Sequence, residues 1–468
     1  MEDVAPRVEL SELEQRVFKA LLDTINHYEL RTTVRAAGGW VRDKLLGTFS
    51  DDIDVVVDNM SGEEFALKVA EYMAQHGQGK DDISSVGVVK QNPDQSKHLA
   101  TACFRLYGLS LDVNNLRTET YTEDSRIPVA SIGTPVEDAT RRDFTTNALF
   151  YNINTGSVED FTGAGLADLR SGLIRTPLPA RETFRDDPLR MLRALRFAAR
   201  LGFRLDSELL EAAGDATMHQ LLETKVSRER FGIEVDKMMK AKGERPALAL
   251  AVMRQTGLLA TVFIPQEIVA VLPQEQSSLS VEDLALGVER AQEVTAILCA
   301  EAAGEELRLA MYASLLSAWA ERSVPEKKRQ RPLIPMLLRA ALKIDTAACE
   351  SAQDVAGAAV ELSRCRGAVE RQRCVGAQLR VAKDRWLQAL ALSEVLGDAR
   401  GAAARQAFVE DRQWISDSGL VGCWEWRPHF DGKRLMAAPF SVPKGRRVGE
   451  VMEAQLQWRM ESPQLSEE

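Results

Sequence analysis

The chain has 468 residues, 45% of them apolar, and a formal net charge of −10, enough for several packed units at roughly 150 residues each. No apolar run is long enough to cross a bilayer, and the start, MEDVAPRVELSELEQRV, is acidic where a targeting leader would be basic. A cytoplasmic protein is therefore expected, with a nuclear or mitochondrial share left open. Cys103, Cys299, Cys349, Cys365, Cys374 and Cys423 are scattered without a CxxC pair, and the five histidines do not gather near them. That pattern argues against a disulfide framework and against a zinc site. The acidic balance counts against a polyanionic partner, but residues 181–204 hold seven arginines against three acids, so a local basic face remains open to the chain.

Residues 1–30 carry Leu10, Leu13, Val17 and Leu21 at helical spacing and predict a leading helix. Over residues 31–178 the pattern is mixed. TTVRAA, IDVVV, SSVGVVK, HLATACFRLYG, LSLDVNNLR and ALFYNI read as strands, separated by helical WVRDKLLG and EEFALKVAEYMAQ. From Phe184 on, strand signals almost vanish. Alanine- and leucine-rich helical stretches follow, broken at VLPQEQSS, at SVPEKKRQRP and around residues 397–401. The expected fold is α+β: a head with a mixed sheet over 31–178, then a helical neck (179–265), body (266–400) and tail (401–468).

Residues 35–57, RAAGGWVRDKLLGTFSDDIDVVV, join a strand, a glycine pair, a short helix and a second strand that opens on three aspartates. Alternate side chains of a strand share a face, so Asp52 and Asp54, about 7 Å apart, point together while Ile53 and Val55 enter the packing and Asp51 faces away. Two such carboxylates repel unless a cation lies between them. Oxygen ligands without nearby His or Cys favour Mg²⁺, and Asp112 on LSLDVNNLR is the natural third ligand if that strand lies alongside. Gly38 and Gly39 allow backbone N–H groups to approach a phosphate, and Arg42 and Asp43 follow on the helix. A glycine pair or a DxD alone is commonly a turn or a surface pair. Together, within about twenty residues, they fit nucleotidyl transfer with two metal ions.

These residues resemble the polymerase-β nucleotidyltransferase superfamily. RRDFTTNALFYN (141–152), VEDFTGAGLADLRSGLIRTP (158–177), DDPLRMLRALRFAARLGF (186–203) and SRERFGIEVDKMM (227–239) appear in the order of the class II tRNA nucleotidyltransferases, the CCA-adding enzymes, most like the eukaryotic members. The resemblance spans residue 36 to about 257, with a weaker echo at GKRLMAAPFSVPKGRRVGEVMEAQLQWRMESP; residues 269–400 are legible only as helical. It implies a nucleotidyltransferase head, two Mg²⁺ ions on Asp52, Asp54 and Asp112, the substrates CTP and ATP, and tRNA as partner. No oligomeric state follows.

The resemblance assigns base pairing to Asp187 and Arg190, with Arg193 beside them. Cytosine and adenine each present an amino donor next to a ring-nitrogen acceptor, so one carboxylate and one guanidinium accept both, while guanine and uracil present the reverse order. Positions 187 and 190 are expected as neighbours on a helix, with Pro188 in its first turn. Arg196 and Arg200 continue the same face and read equally well as solvated charges. Arg142 and Asp143 are assigned to the incoming nucleotide's phosphates and sugar. Arg230 and Glu234 read as a brace on a neighbouring helix.

The resemblance implies a flexible loop that lets the pocket switch from C to A, here the stretch 119–139, whose polar, Gly- and Pro-bearing makeup suits a mobile segment. Its full length implies complete CCA addition over CC-only addition. Candidate RNA-facing runs are EKKRQR (326–331), RGAVERQR (366–373) and PKGRRVG (443–449), each also readable as solvated charge, with Trp424 and Trp426 as stacking candidates or buried anchors. Two alternatives share these motifs: a poly(A) polymerase or partial-addition enzyme, and a non-catalytic RNA-binding relative. The missing HD dipeptide argues against a phosphohydrolase.

Overall fold

The computed structural model describes residues 7–50, 52–77, 82–89, 101–122, 125–270, 272, 279–298, 304–326, 329–397, 399–461 and 463. It divides into two compact units, Met1–Val226 and Ser227–Glu468. That boundary falls inside the span expected as a single neck, so the first half of those helices belongs with the sheet.

The first unit opens on α1 (Glu12–His27), whose start is fixed by a capping box: Ser11 Oγ accepts from the Glu14 N–H and the Glu14 carboxylate accepts from the Ser11 N–H. Glu14 also accepts from Trp40 Nε1 (3.0 Å) and Lys44 Nζ (2.6 Å). With Val17 and Leu21 fully buried, α1 is part of the head's core and not a separate leading segment.

Next come β1 (Val34–Ala37), α2 (Gly39–Leu45), β2 (Asp52–Val57), α3 (Gly62–His76), β3 (Gly87–Val89), β4 (Thr101–Leu106) and β5 (Leu109–Asn115). They are followed by β6 (Arg117–Thr122), β7 (Ser125–Ile132), α4 (Pro135–Thr140), β8 (Leu149–Asn152) and β9 (Ser157–Asp160). Seven strands make one mixed sheet in the order β3-β4-β5-β2-β1-β8-β9, with β2 parallel to β5 and its other neighbour β1 antiparallel. Alternation sends Ile53, Val55, Leu111 and Val113 into the main core with α1 and α3. The opposite face carries a smaller apolar patch of Ala37, Val56 and Phe150.

The stretch expected as a mobile loop is, for its described residues, a β-hairpin followed by most of α4. β6 pairs with β7 from Arg117↔Ile132 to Thr122↔Ser125, with a register shift between Thr120 and Thr122. The β-branched residues of RTETYT and SRIPVASI favour strands, a signal that polar composition masked. Arg141 holds the base of the hairpin, donating to the Arg117 carbonyl (3.1 Å) and to Glu119 (3.0 Å). The unit closes with α5 (Gly165–Ser171), β10 (Leu173–Ile174), α6 (Ala180–Asp186), α7 (Leu189–Leu201), β11 (Arg204–Leu205), α8 (Ser207–Ala213) and α9 (Ala216–Lys225). β10 and β11 pair in parallel.

The second unit is nearly all helical: α10 (Arg228–Met239), α11 (Arg245–Gln255), α12 (Leu258–Phe263), α13 (Gln266–Val269), α14 (Val281–Leu298), α15 (Glu305–Leu315), α16 (Leu333–Leu342) and α17 (Thr346–Cys365). It continues with α18 (Arg371–Ala382), α19 (Trp386–Leu396), α20 (Ala402–Asp417), α21 (Gly432–Met436) and α22 (Arg446–Glu461). The expected break at SVPEKKRQRP is a hairpin of β12 (Ser323–Glu326) with β13 (Arg329–Pro332); Lys327 and Lys328 lie outside the described residues, as does Asp51.

The exclusion of disulfides needs correcting at one pair. Cys365 ends α17, Cys374 lies in the first turn of α18, and the reversal between the helices brings their Cα atoms to 5.7 Å with the sulfurs bonded. The RGAVERQR run occupies this same turn, and its arginines are committed to ion pairs. Arg366 pairs with Glu394 and Asp411, Arg371 with Asp411 and Arg373 with Glu461. Trp426 lies under the Arg459 guanidinium at 4.5 Å.

Close packing in this unit depends on glycine. A Cβ at Gly232 of α10 would stand 1.8 Å from the Leu342 carbonyl oxygen at the end of α16. Gly232→Ala should therefore lower stability by about 1–3 kcal/mol or more, read as a lower guanidinium midpoint, because two backbones must separate to admit one methyl. An unchanged midpoint would contradict this contact.

Candidate active site

The parallel ladder between β2 and β5 pairs Asp52 with Ser110 and Asp54 with Asp112. All three predicted carboxylates are thus exposed on one face of neighbouring strands, with Asp54 and Asp112 side by side. Desolvation by the protein atoms crowded around it, partly opposed by Arg142 and reinforced by the like charges of Asp112 and Asp52, holds the Asp54 carboxyl above its usual range although its face of the sheet is open. A cation would relieve this repulsion. Among the described residues no three carboxylate, thiolate or imidazole groups are gathered closely enough to hold a metal ion by themselves. The carboxylates instead make an open shelf of oxygen donors, a donor set that fits Mg²⁺, an ion that keeps several waters.

On the other side of β2, Asp54 is paired with Ala37 of β1, and the glycine turn begins at the very next residue. Gly38 has φ +70°, a backbone conformation that requires glycine, and a Cβ there would lie 2.9 Å from Arg142 Nη1 and push that guanidinium aside. The Gly38 N–H donates to the Leu149 carbonyl (3.0 Å), which leaves the N–H groups that follow, at the start of α2, as the donors a phosphate could use. Arg142 stands over the Phe150 ring at 5.0 Å and is held by Asp138 (2.8 Å). Asp138 is itself fully buried.

Arg42 is not a solvent-facing ligand in this arrangement. Its side chain is only 2% exposed, and its guanidinium donates to Asp43 (2.8 Å) and to Asn147 Oδ1. It lies behind the glycine turn, 3.6 Å from where a Cβ of Gly39 would stand, and so supports that turn from within. Asp143 is likewise engaged: Oδ1 accepts from the Phe144 N–H (2.9 Å) and Asn147 Nδ2 (3.0 Å), while Oδ2 accepts from Arg193 Nε (2.9 Å) and Nη2 (2.6 Å). Burial alone would raise this carboxyl, but Arg193 and Asn147 hold it down to about 2.

Asp187 is not on the helix with Arg190. It caps the C-terminus of α6 at φ −132°, ψ 97°, because the residue before a proline is pushed to extended geometry. From there Asp187 Oδ1 accepts the Leu189 N–H (3.2 Å), and Arg190, the second residue of α7, donates to the Arg141 carbonyl (2.7 Å). Arg200, read as equally suited to solvent, reaches Asp43 at 3.1 Å. The arginine face of α7 therefore contacts both signature turns of the head. Sequence reasoning gave no role to Asn147 or Asp138. The only available signal was their position inside and just before the RRD run.

The family model described as the poly A polymerase head domain matches residues 34–175. The tRNA nucleotidyltransferase cca2 of Schizosaccharomyces pombe is 31% identical over 99% of this chain and 97% of its own length. The chain belongs to the class II tRNA nucleotidyltransferase family. The mitochondrial CCA tRNA nucleotidyltransferase of Saccharomyces cerevisiae is 46% identical over 55% of this chain and 48% of that protein, so the match spans about half the length of that relative. Among solved structures, the Bacillus stearothermophilus CCA-adding enzyme in complex with CTP covers 96% of this chain and 93% of its own, with a TM-score of 0.64 at 21% identity. That likeness is one of fold.

The Asp143 pairing should be visible in acid. Its folded value of about 2 lies below the ordinary 3.8, so the stability it contributes is present above about pH 4 and is lost as pH falls through about 2. The difference corresponds to roughly 2 kcal/mol. Guanidinium midpoints of the parent and of Asp143→Asn should differ at pH 6 and converge toward pH 2.5. A gap that stays constant over that range would show that this ion pair does not titrate as described.

Proposed function

We propose that this protein adds CCA to the 3′ end of tRNA from CTP and ATP, without a nucleic-acid template. The observation that carries the reading is the register pair Asp54↔Asp112, with Asp52 on the same face and the glycine turn one residue beyond Asp54's other partner. Family membership along nearly the whole chain supports it. Asp52, Asp54 and Asp112 would hold magnesium, two ions being expected. When bound, magnesium supplies Lewis-acid polarisation of the phosphoryl group and lowers the pKa of the attacking hydroxyl.

The chain's own residues divide the remaining work. The glycine turn and Arg142 hold the triphosphate over the carboxylate shelf, which orients the α-phosphorus toward the terminal hydroxyl of the tRNA. Asp187 accepts from the exocyclic amine of cytosine or adenine. Arg190 donates to the adjacent ring nitrogen with N–H groups beyond the one given to the Arg141 carbonyl. Guanine or uracil would leave both charged groups mispaired, at roughly 1–3 kcal/mol each. Asp143, already bound to Arg193, serves the sugar and phosphates by positioning. A cytoplasmic pool is carried over from the composition, beside the mitochondrial one that a relative's name suggests; a fluorescent fusion of the intact chain distinguishes them.

Incubation of the protein with tRNA ending at the discriminator base and all four nucleotides, followed by sequencing of the products, should give C, C and A in order. A long adenosine tail from ATP alone would mean a poly(A) polymerase, and no extension at all a non-catalytic relative. Asp54→Ala and Asp112→Ala should each lower incorporation by roughly three orders of magnitude, the scale of losing several kcal/mol of charge stabilisation, while tRNA binding is kept. Turnover near the parent rate in either variant would remove the metal assignment.

A further inference from the structure

Asn147 follows the RRD run on a short 3₁₀ turn (Thr145–Asn147) and is 7% exposed. Its side chain stands between two charged groups of opposite sign. Oδ1 accepts from Arg42 Nη1, and Nδ2 donates to Asp143 Oδ1 at 3.0 Å. The amide's orientation is fixed by its partners, since a guanidinium only donates and an ionised carboxylate only accepts. The backbone oxygen of Asn147 takes a third contact, from Arg142 Nη1 at 3.4 Å.

The bridge extends in both directions. Behind Arg42 lie Asp43 and then Arg200 of α7; beyond Asp143 lies Arg193 of the same helix. One closed circuit thus starts on α7, runs beneath the glycine turn, crosses Asn147 and returns to α7 two turns away. The remaining links are ion pairs. Asn147 is a neutral link with a single workable geometry, and it sets the distance between the phosphate-holding turn and the base-reading helix.

We propose that Asn147 is a positioning residue for base selection: its amide locks α7, with Asp187 and Arg190 at its start, against the turn that holds the triphosphate. This rests on the functional reading above. Asn147→Asp keeps the size and the acceptor for Arg42 but sets a second carboxylate against Asp143. Asn147→Ser keeps a donor and an acceptor but is too short to span both. Either change loosens the circuit without touching a carboxylate of the shelf.

The test measures kcat and KM for CTP, UTP, ATP and GTP on tRNA lacking its 3′ end, for the parent, Asn147→Asp and Asn147→Ser, alongside circular dichroism and melting. The expected result is a folded variant in which discrimination of C over U and of A over G falls roughly tenfold, the scale of one mispaired buried polar group. A merely structural role would lower the melting temperature and the rate and leave those ratios at parent values. That outcome overturns the proposal, as does failure of both variants to fold. If the parent itself adds no CCA, the functional reading fails first, a result distinct from unchanged ratios in an active enzyme.

Discussion

The site depends on one register. β2 must lie parallel to β5 with Asp54 opposite Asp112, and antiparallel to β1 with Asp54 opposite Ala37. The first pairing brings two like charges together on an open face; the second places Gly38 immediately beside them. A slip of one residue would turn the carboxylates into the core and Ile53 and Val55 outward, so the apolar residues of the strand enforce the position of the acidic ones. Val55, Val57, Leu111 and Val113 are fully buried. The repulsion felt at Asp54 is therefore borne by packing on the opposite side of the same two strands.

A second set of constraints joins the head to α7 through charge. Arg42, Asp43, Asp138 and Asp143 are all nearly inaccessible to solvent, where an unpaired ion would be costly. Each is met by an opposite charge or an amide, and Asn147 supplies the amide at the crossing point. Such pairs add little net stability over apolar packing of equal volume. Their contribution here is direction, since a guanidinium and a carboxylate fix relative orientation in a way that leucines would not. The arginine face of α7 thus ties that helix to α2 and the glycine turn before it.

The head's central strands, the shared face of Asp52 and Asp54, and Asp112 as their neighbour were legible because alternation is a local property and the main core lies on one side. Four features were hidden for reasons that differ. Asp187 looked helical from its spacing to Arg190, but Pro188 excludes it from α7. The hairpin of β6 and β7 read as a loop because its residues are polar; their β-branching carried the strand signal. Arg42 read as a ligand because it follows the glycine pair, and Asp143 because the resemblance assigns it to the nucleotide; only the tertiary partners Asn147 and Arg193 show how each is held inside. Cys365 and Cys374 pair through a helix reversal that spacing alone does not specify.

The same blindness to distant partners affects any count of basic residues. Of the seven arginines in residues 181–204, Arg181 is paired with Asp215, Arg193 with Asp143 and Arg200 with Asp43, while Arg190 is turned to a backbone carbonyl. The RGAVERQR run commits Arg366, Arg371 and Arg373 to Glu394, Asp411 and Glu461. For these residues a basic run in the sequence is thus not an unneutralised surface, because the neutralising acids come from tens of residues away. By the same logic a net charge of −10 does not disqualify a polyanionic partner: many acids are consumed in these pairs as well. What governs recognition is the small remainder of unpaired charge and where the fold puts it. In the head, the register of β2 places that remainder on the carboxylate shelf, and a cation bound there is what would make it a surface fit for phosphate.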